Sequence, residues 1–218
     1  TLGDWNADAA AARRPAVAFN VTAVETGERI VLGGYAPSPS PTCDVTGGRD
    51  LSVVTAAGVS AAFPYVSPFA RPGIDSACAP HLADGGYWDN TGEVTALQWI
   101  RDLLQERPGV RSRLVLIRIP AMREGAAPRP IDRSWLWQIG APVSTFLSVQ
   151  GDGQRARSQF ERELLGGMAT IALPYTPDTP ALAWHVSRRE IEEIDQRWKA
   201  PSDEMLSALR SLEPLLGP

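Results

Sequence analysis

Apolar and polar residues alternate from Pro15 to Val24: Val17, Phe19 and Val21 face one way, Asn20 and Thr22 the other. That period predicts a strand. Thr26-Gly27 reads as a turn, and Arg29-Ile30-Val31-Leu32 can return as a second strand. A Pro/Ser tract from Pro37 to Pro41, extended to Gly48, predicts a surface loop. Asp50 is placed to cap a helix over Leu51 to Ala62 that ends before Pro64. Its small residues, Ala56, Ala57, Gly58, Ser60, Ala61 and Ala62, suit close packing on a sheet. Further on, Asn90 and Glu93 have the spacing of a capping box. Val94, Leu97, Ile100 and Leu104 then form one helical stripe, stopped by Pro108-Gly109. Leu114 to Ile119 has the length and apolarity of a buried parallel strand. Residues 135–149 and 154–165 read as helices, Thr170 to Leu173 as a short strand, and Arg188 to Trp198 and Asp203 to Leu216 as closing helices.

Strands alternating with helices predict an α/β layered domain, a mostly parallel sheet flanked by helices. Residues 17–24 and 114–119 are expected in one sheet, with the helices 51–62 and 93–106 packed on it. A length of 218 residues fits a single domain over residues 1–218.

Composition narrows the class of partner. Apolar residues make up 44% and charged residues 21%, as in soluble globular proteins. The net charge of −4 and a pI near 5.3 argue against nucleic acid as partner. Seven arginines between Arg107 and Arg133 face only Glu124 and Asp132, a solvated face or one suited to anionic headgroups. The chain begins at Thr1 with no charged apolar leader, which reads as a processed or cropped product with no legible localisation. The longest uncharged run, Ser134 to Gly151, is too polar to span a bilayer. Cys43 and Cys78 allow one disulfide, and a reduced pair is the alternative; two cysteines give no zinc spacing.

The densest chemical signal is residues 82–92, Leu-Ala-Asp-Gly-Gly-Tyr-Trp-Asp-Asn-Thr-Gly. A carboxylate followed by two glycines can be enclosed tightly by its own backbone. By itself an Asp-Gly turn needs no function. Three segments in order raise it: the Asn-x-Thr strand ending in Thr26-Gly27, the small-residue helix ending in Ser60-Ala61-Ala62-Phe63-Pro64, and the Asp84 loop with Asp89-Asn90. Together they resemble the patatin-like phospholipase family across roughly the first hundred residues. Trp184-His185-Val186-Ser187 fits that family less firmly, and Thr91-Gly92 stands where the family often has a proline.

The resemblance implies a lipid acyl hydrolase, a phospholipase or esterase working through a Ser–Asp dyad, with a lipid or ester substrate. Asp84 carries over as the catalytic base, with Gly85, Gly86 and Asn90 as loop-supporting residues. No Gly-x-Ser-x-Gly occurs in the chain, so it resembles the carboxy-terminal part of the domain, without its nucleophile half. Alone it is then expected to be inactive. No cofactor or metal is implied. Peripheral association with a membrane surface is compatible with this reading; head group, acyl chain and oligomeric state are not legible. Two alternatives stand beside it: a non-catalytic lipid-binding or scaffolding domain, and an unrelated α/β binding module in which Asp84 only shapes a turn.

Other candidates carry less. Ser60 sits late in a helical run with Ala62 in place of the second glycine, which suits packing rather than a nucleophile elbow. His81 and His185 read as loop and helix-edge histidines. Asp84, Asp89 and Asn90 lack the spacing of a calcium loop. Trp135, Trp137, Phe146 and their aliphatic neighbours read as a core-facing helix, or with one indole exposed as an interfacial anchor.

Overall fold

The computed structural model describes residues 1–35, 44–62, 67–73, 80–119, 135–166, 168–173 and 187–216. In order they form α1 (Leu2–Ala10), β1 (Ala18–Ala23), β2 (Arg29–Gly33), α2 (Val53–Ser60), β3 (Leu82–Asp84), α3 (Gly86–Asp89), α4 (Glu93–Glu106), a 3-10 turn (Pro108–Arg113), β4 (Val115–Arg118), α5 (Trp135–Leu165), β5 (Ala169–Ala172), α6 (Arg188–Lys199) and α7 (Asp203–Leu216). The fold is mixed α/β, with two compact units: residues 1–103 with 142–164, and 104–141 with 165–218.

In the first unit β1 is the central strand, between β2 and β3, and both pairings are antiparallel. This corrects the expected mostly parallel sheet. The short turn at Thr26-Gly27 returns the chain directly beside β1, which only an antiparallel pair allows. Phe19 lies opposite Leu32, Val21 opposite Ile30, and Ala23 opposite Leu82. These residues form one apolar face, and α2 packs on it through Ala56 and Val59, with Leu2 of α1 in the same core. The reverse face carries Asn20, Thr22 and Arg29. Alternation alone would leave that face wet, yet Asn20 and Thr22 are buried.

Helix α2 starts later than expected because Ser52, not Asp50, caps it: Ser52 Oγ accepts the Thr55 N–H at 2.9 Å. Asp50 instead accepts the Gly3 N–H at 2.9 Å, tying down α1, which residue pattern did not announce. Hydrogen bonding from Thr1, and after it from the Gly3 N–H, keeps the Asp50 carboxyl below the usual carboxylate range. The apolar stripe of α4 is realised: Val94 and Leu97 are fully buried and Leu104 nearly so.

Tyr35 packs flat on Trp99, centroids 5.5 Å apart, and donates its hydroxyl hydrogen to Asp102 at 2.8 Å. Burial, with the neighbouring Asp102, pushes the phenol up to about 12. The folded chain therefore keeps this proton while the unfolded chain, with an ordinary value near 10, releases it. Tyr35's contribution to stability is complete below pH 10 and is lost as pH rises through 12. Phenolate absorbance should show a component near 12 that Tyr35→Phe removes. A titration unchanged by that substitution would exclude the assignment.

In the second unit β4 and β5 pair in parallel, Val115 opposite Ala169 and Arg118 opposite Ala172. The expectation that residues 17–24 and 114–119 share a sheet is therefore overturned among the described residues. Both edges of β1 are already occupied by β2 and β3, and β4 finds its partner in β5 instead. The burial expected for β4 is also partial: Leu116 is buried, but Ile117 is 46% exposed. A two-stranded sheet has too little area to cover both faces. Arg111 donates to the carbonyls of Leu165 and Gly166, so one arginine of the basic run caps the carboxy-terminal end of α5. The helices expected over 135–149 and 154–165 are one continuous helix, and α6 and α7 lie where expected.

The tract Pro37–Pro41, Cys43, Cys78, Phe63-Pro64, Arg123, Arg129, Arg133 and Trp184–Val186 with His185 lie outside the described residues, as do the side chains of Trp135, Trp137 and Phe146. No described helix is long and apolar enough to cross a membrane.

Candidate functional site

Asp84 ends β3 and is half-buried. Three hydrogen bonds fix it. Its N–H donates to Ala62 O at 3.0 Å, its carbonyl accepts from Thr22 Oγ1 at 3.0 Å, and its Oδ1 accepts the Gly86 N–H at 2.6 Å. The last is an Asx turn, the side chain binding backbone two residues on. Oδ2 has no hydrogen-bond partner among the described residues.

The Gly-Gly pair is required by crowding rather than by unusual dihedrals. Gly85 has helical angles, φ −63° and ψ −21°. A Cβ there would stand 2.2 Å from Asn20 O, far inside van der Waals contact. Its N–H donates to Ser60 O at 3.1 Å. At Gly86 a Cβ would meet Asn90 Oδ1 at 2.7 Å and Asp84 Oδ1 at 2.8 Å, both side-chain tips. The loop is thus pressed against β1 and the end of α2 by its first glycine, and encloses the carboxylate with its second.

Asn90 does not form the expected capping box. Its own angles are helical, φ −65° and ψ −22°, whereas an N-cap needs an extended residue. Thr91 Oγ1 accepts the Glu93 N–H at 3.3 Å, and Asp89 Oδ2 accepts the Thr95 N–H at 2.8 Å. Gly92, at φ +68°, turns the chain between α3 and α4 in a conformation that favours glycine. Asn90 contributes through its backbone: its N–H donates to Gln154 Oε1 at 2.8 Å, while Gln154 Nε2 donates to Gly86 O at 3.0 Å. One α5 side chain therefore clamps both ends of α3.

The residues beneath the loop were only partly legible. Asp89 is 3% exposed, and its Oδ2 lies 2.9 Å from Thr95 Oγ1 and 3.4 Å from Asn20 Nδ2. Thr95 Oγ1 is also 2.8 Å from Asn20 Oδ1. A hydroxyl has a single proton, so Thr95 donates to Asp89 or to Asn20 at one time. Asp89 Oδ1 is buried without a hydrogen-bond partner among the described residues. Arg29 donates to Thr95 Oγ1 at 3.0 Å and to Gln98 Oε1 at 2.5 Å. Burial lowers the Arg29 pKa, opposed by the attraction of Asp89. Asn20 and Thr22, two apart on β1, point to the same face. Thr22 holds the Asp84 carbonyl, and Asn20 holds the α3–α4 junction. Their spacing was the available signal; what they grip was not.

Ser60 serves as a strut: its Oγ donates to Asn20 O at 2.6 Å. His81 pairs with Glu25, Nδ1 to Oε1 at 2.5 Å, and the His81 N–H donates to Glu25 Oε2 at 3.0 Å. The His81 hydrogen bond holds the Glu25 carboxyl below the usual range. Among the described residues no three His, Cys, Asp or Glu side chains gather as a metal-binding group. Compared with protein-family models, curated proteins and solved structures, the chain matches none.

Proposed function

We propose that this chain is the aspartate-bearing part of a patatin-like lipid acyl hydrolase, a layered α/β domain completed by a serine half outside these 218 residues. The observation that carries the reading is the Asp84 carboxylate, with Oδ1 engaged by its own loop and Oδ2 without a hydrogen-bond partner among the described residues. A serine hydroxyl becomes a useful nucleophile when a positioned base takes its proton. In the proposed reaction the serine oxygen bonds to the ester carbonyl carbon while its proton moves to Asp84 Oδ2. The tetrahedral intermediate expels the alcohol, which leaves with that proton, and an acyl-serine remains. Water then repeats the sequence: its proton passes to Asp84, the acyl–serine bond breaks, and serine recovers the proton as the carboxylic acid leaves. Oxyanion donors, commonly backbone N–H groups, come with the serine half. Gly85, Gly86 and Thr22 act by holding Asp84. Asn90 acts through its backbone alone.

A second reading, a lipid-binding domain without catalysis, draws on α5. Val149, Phe160 and Leu164 recur on one face of that helix and are 60% to 67% exposed. Polar Gln154 and Ser158 turn inward. An apolar stripe left in water suits a lipid surface.

Fluorophosphonate labelling separates the two. Residues 1–218 alone should remain unlabelled, with Ser60 held by Asn20 O. The product of the complete reading frame should be labelled at a serine within Gly-x-Ser-x-Gly upstream of Thr1. An unlabelled complete product supports the non-catalytic reading, and labelling of Ser60 overturns its role as a strut.

A further inference from the structure

The primary amide of Gln154 stands where a helix would bond to itself. In an α-helix the Asn90 N–H donates to the carbonyl four residues back, Gly86 O. Here that N–H donates to Gln154 Oε1 at 2.8 Å, and Gly86 O accepts from Gln154 Nε2 at 3.0 Å. Tyr87 O accepts from the same nitrogen at 3.3 Å. A side chain of α5 therefore completes α3, a four-residue helix too short to hold itself. A side chain entering the helical ladder also sets the local bend of the backbone. Gly86 is the residue whose N–H fixes Asp84 Oδ1, at 2.6 Å. The carboxylate and Gln154 thus hold the N–H and the carbonyl of one glycine, which has no side chain to anchor it elsewhere.

The docking of α5 favours direction over area. Gln154, Ser158 and Arg162, each four residues from the next, lie on one side of the helix. Ser158 is 4% exposed, and Arg162 pairs with the buried Glu93 of α4 at 3.2 Å. Arg157 stacks on Trp88 of α3, its Cζ 4.1 Å from the ring centroid. Val149, Phe160 and Leu164 are left exposed. Apolar burial is non-directional, whereas hydrogen bonds require a set geometry. We infer that Gln154 is a positioning residue for Asp84: through Gly86 it sets the direction in which Oδ2 is presented. The consequence for catalysis rests on the acyl-hydrolase reading; the hold on Gly86 does not.

Two measurements test it. On residues 1–218, the Gly86 and Asn90 amide proton resonances are compared by NMR in the parent, Gln154→Met and Gln154→Glu. Methionine has a similar length without the amide, so both resonances should move upfield as their hydrogen bonds lengthen. Glutamate keeps an acceptor for the Asn90 N–H and loses the donor to Gly86 O, so the Gly86 resonance alone should move upfield. A Gly86 resonance unchanged in both variants overturns the inference. In the complete product that includes the serine half, Gln154→Met should lower kcat for ester hydrolysis about tenfold, the worth of roughly one hydrogen bond. KM should stay the same, because Gln154 bonds the loop rather than the ester. Gln159→Ala, at an exposed position of the same helix, should match the parent. Asp84→Asn is measured alongside. If Asp84→Asn loses hydrolysis while Gln154→Met keeps the parent kcat, or only raises KM, the positioning role is overturned and the dyad stands. Hydrolysis indifferent to Asp84→Asn removes the dyad, and this role with it.

Discussion

Replacing Gly85 by alanine should lower the stability of the chain by about 3 kcal/mol or more, beyond the ordinary cost of overpacking. The added methyl would stand 2.2 Å from Asn20 O and 2.6 Å from both Asn20 C and Asn20 Cβ. None of these atoms can yield cheaply. Asn20 lies on the central strand, hydrogen-bonded on both sides, and its carbonyl also accepts from Ser60. Gly85 is held from the other direction by its bond to Ser60 O. For a chain of this length the loss corresponds to a melting temperature lower by roughly 6–12 °C. Gly58→Ala is the matched control, since nothing lies within 4 Å of a Cβ there and the residue is inside α2. It should stabilise by about 0.5–1 kcal/mol. Thermal or urea unfolding of the two variants measures both. A Gly85→Ala chain that melts like its parent would show that the loop can move off β1, and a rigidly presented Asp84 would have to be given up.

In a polypeptide that includes the serine partner, Asp84→Asn should reduce ester hydrolysis by about 10²–10⁴-fold, the usual cost of losing a general base. Stability should hardly change. The Asn side-chain oxygen can still accept the Gly86 N–H, and the backbone bonds to Ala62 and Thr22 do not involve the side chain. Asn90→Ala serves as the comparison. Its side chain caps nothing, and the Gln154 contact uses its backbone, so both activity and melting temperature should stay within the range of neutral surface changes, about 0.5 kcal/mol. Hydrolysis and melting are measured on the same preparations. Near-normal turnover with a lower melting temperature in Asp84→Asn would make Asp84 a structural turn residue. The dyad would then be abandoned.

Local patterns carried much of the architecture. The alternation through Val17, Phe19 and Val21 gave β1, the Thr26-Gly27 turn gave its hairpin partner, and the spacing of Val94, Leu97 and Leu104 gave α4. The Asp84-Gly85-Gly86 turn was legible because its chemistry is internal, a carboxylate bonded to backbone two residues on. Capping was less legible. Asp50, Ser52, Asp89, Asn90 and Thr91 are all competent acceptors, and their choice depends on which backbone N–H each can reach. Asn90 lost that role when α3 gave it helical angles, and Asp89 took it from within the buried network.

Sequence by itself determined the elements whose signal lies within a few residues: strand alternation, the helical stripe, the hairpin and the Asx turn at Asp84. Tertiary structure alone decided which strands share a sheet, because β1 has only two edges and β2 and β3 fill both. It also decided the fate of the polar side of β1. A period of two states only that Asn20 and Thr22 point away from the apolar core. The covering of that face by the α3–α4 junction removes them from water. Buried polar groups must then find partners within the protein, and those partners, Asp84, Asp89 and Thr95, lie more than sixty residues away along the chain. Separation of that kind leaves no trace in local periodicity; only folding brings the groups within hydrogen-bond reach.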